Sequence, residues 1–167
     1  MATDYQTGVE QVYQALSDEG YWQARLADSG ADEATLERLV VTDDGIDVVT
    51  TQVLSAHRLP GLVSQFHRGD MVIRREETWT ALAGGRATAD LVGSIAAAPV
   101  SLTGRAELSP ENHGTPEKDK ARMAFRATVE VRVPLVGRKL ENSIGNQLVE
   151  LLTGEQRFTT GWIAGMH

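Results

Sequence analysis

The chain has 167 residues, no cysteine, and 23 acidic against 16 basic side chains, for a formal net charge of −7. That length suits one domain able to bury a core without staples, and the missing thiols exclude disulfides, thiolate metal sites and cysteine nucleophiles. The acidic balance argues against nucleic acid, because phosphate binding needs clustered basic residues.

Residues 1–8 are polar and acidic, and no run approaches the ~18 apolar residues that span a bilayer. A soluble, cytoplasmic protein with no integral membrane association is therefore expected. An excess of arginine over lysine hints at a high-GC bacterial genome.

In chain order, residues 4–8 are expected to form a short first strand. Val9, Val12, Tyr13 and Leu16 then recur at helical spacing. Ser17 is expected to cap a second helix over 18–27, with acids in its first turn and Tyr21, Trp22 and Leu26 along it. From Thr35 the period changes to two. Residues 36–42 and 46–54 read as a hairpin around Asp43-Asp44-Gly45, whose glycine can take positive φ. Residues 55–69, with Pro60, Gly61 and Phe66, show no clean period and read as a loop or short helix. Residues 71–82 read as a strand ending at Ala83-Gly84-Gly85, and 86–94 as the next. Residues 100–108 alternate, with Val100, Leu102, Gly104, Ala106 and Leu108 inward. After a polar loop, residues 121–133 alternate again, Met123, Phe125, Val129, Val131 and Val133 on one face, until Pro134 ends the strand.

From Leu135 onward, Leu140, Ile144, Leu148, Leu151, Phe158 and Trp162 recur at steps of three and four. At ~100° per residue they share one stripe of about 80°, which predicts a long amphipathic helix. The fold class is thus α+β: an antiparallel sheet of about six or seven strands with its apolar side under the final helix, and two short helices near the start.

This order, together with Tyr21-Trp22-x-x-Arg25-Leu26, Glu77-x-Trp79, Val133-Pro134-Leu135-Val136-Gly137 before Leu140-Glu141, and Phe158-Thr159, resembles a family of unknown function found mainly in actinobacteria. That family falls in the START-like (SRPBCC, helix-grip) superfamily, with its polyketide cyclases, lipid-transfer domains and plant allergen-like proteins. The resemblance covers nearly the whole chain and implies a curved sheet around the last helix, with a cavity between them. It implies no catalytic residue, since the superfamily shares a cavity and not a chemistry.

The residues expected to line that cavity are Arg75, Glu77, Trp79, Leu102, Phe125, Leu148, Leu151, Glu155 and Phe158. Glu155 interrupts the apolar stripe. It either reaches solvent or an arginine near the helix end, or acts in the cavity as a polar anchor or proton donor. Arg75 and Glu77 share a face with Met71, Ile73 and Trp79. They form an ion pair near the sheet's open end, or Arg75 holds an anionic ligand group while burial raises the Glu77 pKa for acid chemistry. Arg74 and Glu76, on the opposite face, read as solvated. Gly145 and Gly154 weaken the last helix, and Gly154 leaves room beside its stripe. His57, His67, His113 and His167 are too scattered for a metal site. No nucleotide or hydrolase motif is present, and no cofactor is expected.

The leading expectation is a monomeric or homodimeric protein that binds a small hydrophobic or amphipathic ligand, lipid or polyketide-like. A cyclase- or aromatase-like enzyme using one or two polar cavity residues is the alternative. A third reading is an interaction protein with a filled core that dimerises through a sheet edge or residues 55–69.

Overall fold

The computed structural model describes residues 1–55, 69–96, 98–111, 120–133 and 137–165. In chain order they form β1 (Ala2–Tyr5), α1 (Val9–Leu16), α2 (Glu19–Asp28), β2 (Glu33–Thr42), β3 (Gly45–Leu54), β4 (Met71–Thr80), β5 (Ala87–Ile95), β6 (Val100–Pro110), β7 (Ala121–Val131) and a long α3 (Gly137–Ala164). All strand pairs are antiparallel, in the order β1-β7-β6-β5-β4-β3-β2.

The helices follow from local sequence. Asp18, not Ser17, caps α2, its carboxylate accepting from the Gly20 N–H at 2.7 Å. Ser17 is still wound into α1 as its C-cap, with its hydroxyl donating to the Tyr13 carbonyl. Two acceptors in tandem leave the cap to whichever residue turns extended, and that is Asp18. The first strand also lies earlier than the 4–8 expected. Ala2–Tyr5 pairs with Ala121–Ala124, which puts Tyr5 on the core side, where its hydroxyl donates to Gln156 on α3.

The expected hairpin is present, and its glycine is required. Gly45 has φ +144°, and a Cβ there would sit 1.9 Å from the Trp79 carbonyl oxygen on the neighbouring β4. This close approach fixes the register that places Ile46 opposite Trp79 and Val48 opposite Glu77.

Side chains facing α3 fall into two apolar clusters. One joins Tyr5, Val12, Leu16, Trp22, Trp79, Leu108, Met123 and Ile163 beneath α1 and α2. The other joins Met71, Val131 and Leu140 with Ile73, Ile95 and Ile144. Leu140 and Ile163 lie roughly 35 Å apart along α3 at its 1.5 Å rise per residue, so the clusters occupy opposite ends of the helix.

The buried face of α3 is not the single straight stripe expected. Past Leu140 its buried residues are Leu152, Glu155, Gln156, Thr159 and Ile163, a face turned roughly 80° from the predicted one. Phe158 and Trp162 are half-buried, stacked on one another and against Tyr21. The reason is that α1 and α2 pack on this end of α3, so it must answer both the sheet and the two helices. The helix runs unbroken through Gly154, which is exposed with open space around it and not beside a cavity.

Two glycines of positive φ separate backbone strain from collision. Gly84→Ala, at φ +61° with nothing within 4 Å, is expected to cost about 1–2 kcal/mol by urea denaturation. Gly45→Ala is expected to cost at least about 3 kcal/mol, because strain and overpacking add.

Candidate functional site

Between the two clusters sits a group of charges held by three different elements. Arg25 comes from α2, Arg75 and Glu77 from β4, and Glu155 from α3. Arg75 donates from Nη1 and Nη2 to the two oxygens of Glu155, both at 2.9 Å, and from Nε and Nη2 to Glu77 at 3.0 and 2.6 Å. Arg25 reaches the same Glu155 carboxylate at 2.6 Å and approaches Glu77 at 4.0 Å. Trp79 Nε1 donates to the second Glu77 oxygen at 3.2 Å. Glu77 is 4% and Glu155 9% exposed.

The surroundings hold these groups in place. Arg25 lies over the Trp22 ring at 4.6 Å, a cation–π contact that replaces lost hydration. Its Nη1 donates to the Tyr21 hydroxyl, which shares a 2.5 Å hydrogen bond with Thr159, and Thr159 in turn donates to the Glu155 carbonyl. Burial pushes the Glu155 carboxyl up, but the guanidiniums of Arg25 and Arg75 and their hydrogen bonds outweigh it and bring it down from an ordinary 4.5 to about 2. Burial likewise pushes the Tyr5 phenol well up. Glu155 is therefore a fixed carboxylate, not a proton donor, and the open-end ion pair expected of Arg75 and Glu77 is an interior one.

On one side of this cluster the space is filled: Glu77, Trp79, Phe125 and Arg25 enclose only about 10 Å³ with Tyr5 and Thr159. On the other side is a cavity of about 410 Å³ between α3 and strands β3 to β7. Its wall is apolar, with Leu54, Met71, Ile73, Leu102, Val129, Ile144, Leu148 and Leu151, and Arg75 and Gln52 are its inner polar groups. Gln147 and Glu150, both exposed, mark its rim on α3 opposite Ser29 and Ala31. A broader hollow of about 1590 Å³ lies between α3 and the β6–β7 side, lined by Arg105, Glu107, Arg126, Asn142 and Asn146, and meets the cavity at Val129 and Leu148.

Of the expected lining residues, Arg75, Leu102, Leu148 and Leu151 thus come together at the cavity. Glu77, Trp79 and Phe125 belong to the filled side, and Glu155 to the partition between them. Phe158 is placed apart, in the aromatic group with Tyr21 and Trp162. Arg74 and Glu76 pair at 3.4 Å on the outer face as expected. The four histidines and most of the 55–69 segment lie outside the described residues.

Sequence reasoning missed Arg25 and Gln52. Arg25 is four residues after Tyr21 and three after Trp22, so helical spacing already put it on their face. Gln52 continues the inward alternation of Ile46, Val48 and Thr50.

Two outcomes follow from the charge cluster. Glu155→Gln leaves two buried guanidiniums facing one carboxylate and is expected to lose about 3–5 kcal/mol in denaturant titrations. Because the folded Glu155 pKa is depressed, the unfolded chain binds the extra proton. The linked stability is full above ~pH 5 and drains as pH falls toward ~2. Denaturation midpoints between those limits should fall more steeply in the wild type than in the Glu155→Gln variant.

The family model matching residues 1–163 is that of DUF2505, a protein family of unknown function. Uncharacterized proteins of Mycobacterium tuberculosis and Mycobacterium bovis are 51% identical over 168 residues, covering 98% of this chain and 94% of theirs. Among solved structures, a conserved protein from Geobacillus kaustophilus aligns with a TM-score of 0.61 at 12% identity, over 99% of this chain and 94% of its own. A Thermus thermophilus protein aligns at 0.57 and 16% identity, over 96% and 95%. Ara h 8.0201 aligns at 0.53 and 8%, over 98% and 95%. These last likenesses bear on the fold alone. With the long helix packed on a seven-stranded antiparallel sheet, the chain has the helix-grip fold and belongs to the DUF2505 family.

Proposed function

We propose that the protein binds a small hydrophobic or amphipathic molecule in the cavity between the sheet and α3. The observation that carries this reading is the cavity itself: about 410 Å³, walled by aliphatic side chains, with polar groups confined to one inner corner and the rim. Ligand sites of ~300–1,000 Å³ share that character.

The enzymatic alternative needs a group able to move a proton. Glu150 meets the cavity only at its exposed rim, and the interior carboxylates beside it, Glu77 and Glu155, are each bound to arginine. Of the interior charge cluster, Arg75 alone borders the space, where it offers a hydrogen bond but not acid–base chemistry at neutral pH. This supports holding a ligand over transforming one.

The test is fluorescence of N-phenyl-1-naphthylamine, a neutral apolar dye, titrated with protein. Enhancement that saturates at one dye per chain is expected, and its absence overturns the reading. Leu151→Trp, which adds bulk at the cavity wall, is expected to weaken dye binding at least about tenfold while the thermal transition stays cooperative. Undiminished binding in that variant would place the dye elsewhere.

A further inference from the structure

Gln52 faces inward from β3, is 8% exposed, and borders the cavity. Among the described residues its amide has no hydrogen-bond partner. The amide opens onto the cavity in a largely aliphatic wall, where a hydrogen bond from a ligand would satisfy it. Its neighbour is Arg75: Gln52 pairs with Ile73 and Arg75 with Thr50, so the two are diagonal neighbours on one sheet face. Arg75 spends Nε, Nη2 and one Nη1 N–H on Glu77 and Glu155. One Nη1 N–H is left over among the described residues, at a side chain that itself borders the cavity.

We infer that Gln52 and Arg75 form a head-group site, and that it selects ligands bearing a neutral hydroxyl or carbonyl over those bearing a carboxylate. The inference rests on the binding reading above and names its ligand class. Charge decides the selectivity. The guanidiniums of Arg25 and Arg75 already face the carboxylates of Glu77 and Glu155, so the cluster has no positive charge to spare. A third carboxylate would lose its hydration beside two others of like sign. A hydroxyl, in contrast, accepts from the Gln52 amide or Arg75 and donates to the Gln52 oxygen. The aliphatic wall holds the rest of the molecule. Of the two roles weighed for Arg75 from sequence, an ion pair with Glu77 or the holding of an anion, this sets aside the second.

Displacement of bound N-phenyl-1-naphthylamine by decan-1-ol, decan-2-one and decanoate at pH 8 separates the two levels of inference. Dye that does not bind overturns the cavity reading and this one with it. Dye that binds, with the alcohol and ketone displacing it at concentrations at least about tenfold below decanoate, is the expected result. Equal or stronger displacement by decanoate overturns the head-group site alone and leaves the cavity standing. Gln52→Leu is expected to raise the melting temperature and to weaken decan-1-ol about tenfold relative to the dye, whose own affinity is measured in the same variant as the reference. Gln52→Met serves as the second variant. Decan-1-ol affinity unchanged relative to the dye in both would remove Gln52 from the site.

Discussion

The structure depends on a carboxylate that three elements cannot share without being brought together. Glu155 on α3 receives Arg75 from β4 and Arg25 from α2, and no two of these elements are adjacent in sequence. Burying any one of these charges alone would cost several kcal/mol. The group is tolerable only when all four charged side chains arrive in register, with the bidentate Arg75–Glu155 contact and the Trp79 bond to Glu77 completing the set. Such an arrangement adds little net stability over a well-packed apolar substitute. What it fixes is the rotation of α3 against the sheet, because a turn of one residue would move Glu155 by roughly 100° and strand the arginines.

That fixed rotation also divides the interior. Toward α1 and α2, aromatic side chains fill the space: Tyr5, Tyr21, Trp22 and Trp79 are each almost fully buried. Toward Leu140 the sheet and helix are bridged by shorter aliphatic side chains, and the volume they leave is the cavity. The ion cluster stands between a packed half, which holds the molecule together, and a hollow half, which has room for something else. Relatives within the helix-grip fold show that this scaffold recurs at 8–16% identity, so whatever function this chain has is written in side chains such as these and not in the topology.

Much of the fold is legible because period-two alternation and the hairpin turn are local signals. The strands from β2 to β7 follow directly from them, and helix α1 from the three- and four-residue spacing of Val9, Val12, Tyr13 and Leu16. The first strand is misplaced by sequence because a short polar stretch beside an edge carries no alternation; its position is set by pairing with a strand more than a hundred residues away. The rotation of α3 escapes the sequence for a related reason. A helical wheel assumes one partner, and this helix has the sheet along one half and two helices besides on the other. Arg75 and Glu155 are legible as polar interruptions of apolar faces. Arg25 is easily passed over because an arginine on a short helix is ordinarily solvated, and only the tertiary placement of α2 makes it interior. Gln52 carries the same signal as Arg75, a polar residue in an inward position of a strand.

The sheet order has a consequence for how the chain is made. β1 lies beside β7, so β1 finds no partner in this sheet until Ala121–Ala124 has emerged, and the Tyr5 hydroxyl finds Gln156 later still. Meanwhile β2 through β6 can form as a ladder of successive strand pairs, each joining neighbours in sequence, the longest of their connections being 55–70 between β3 and β4. Closure of the sheet and docking of α3 are then late and nearly simultaneous events in synthesis, with the longest loops of the fold closed last. Until they occur, the aromatic face of α2 and the arginine upon it wait in water for the carboxylate that will bury them.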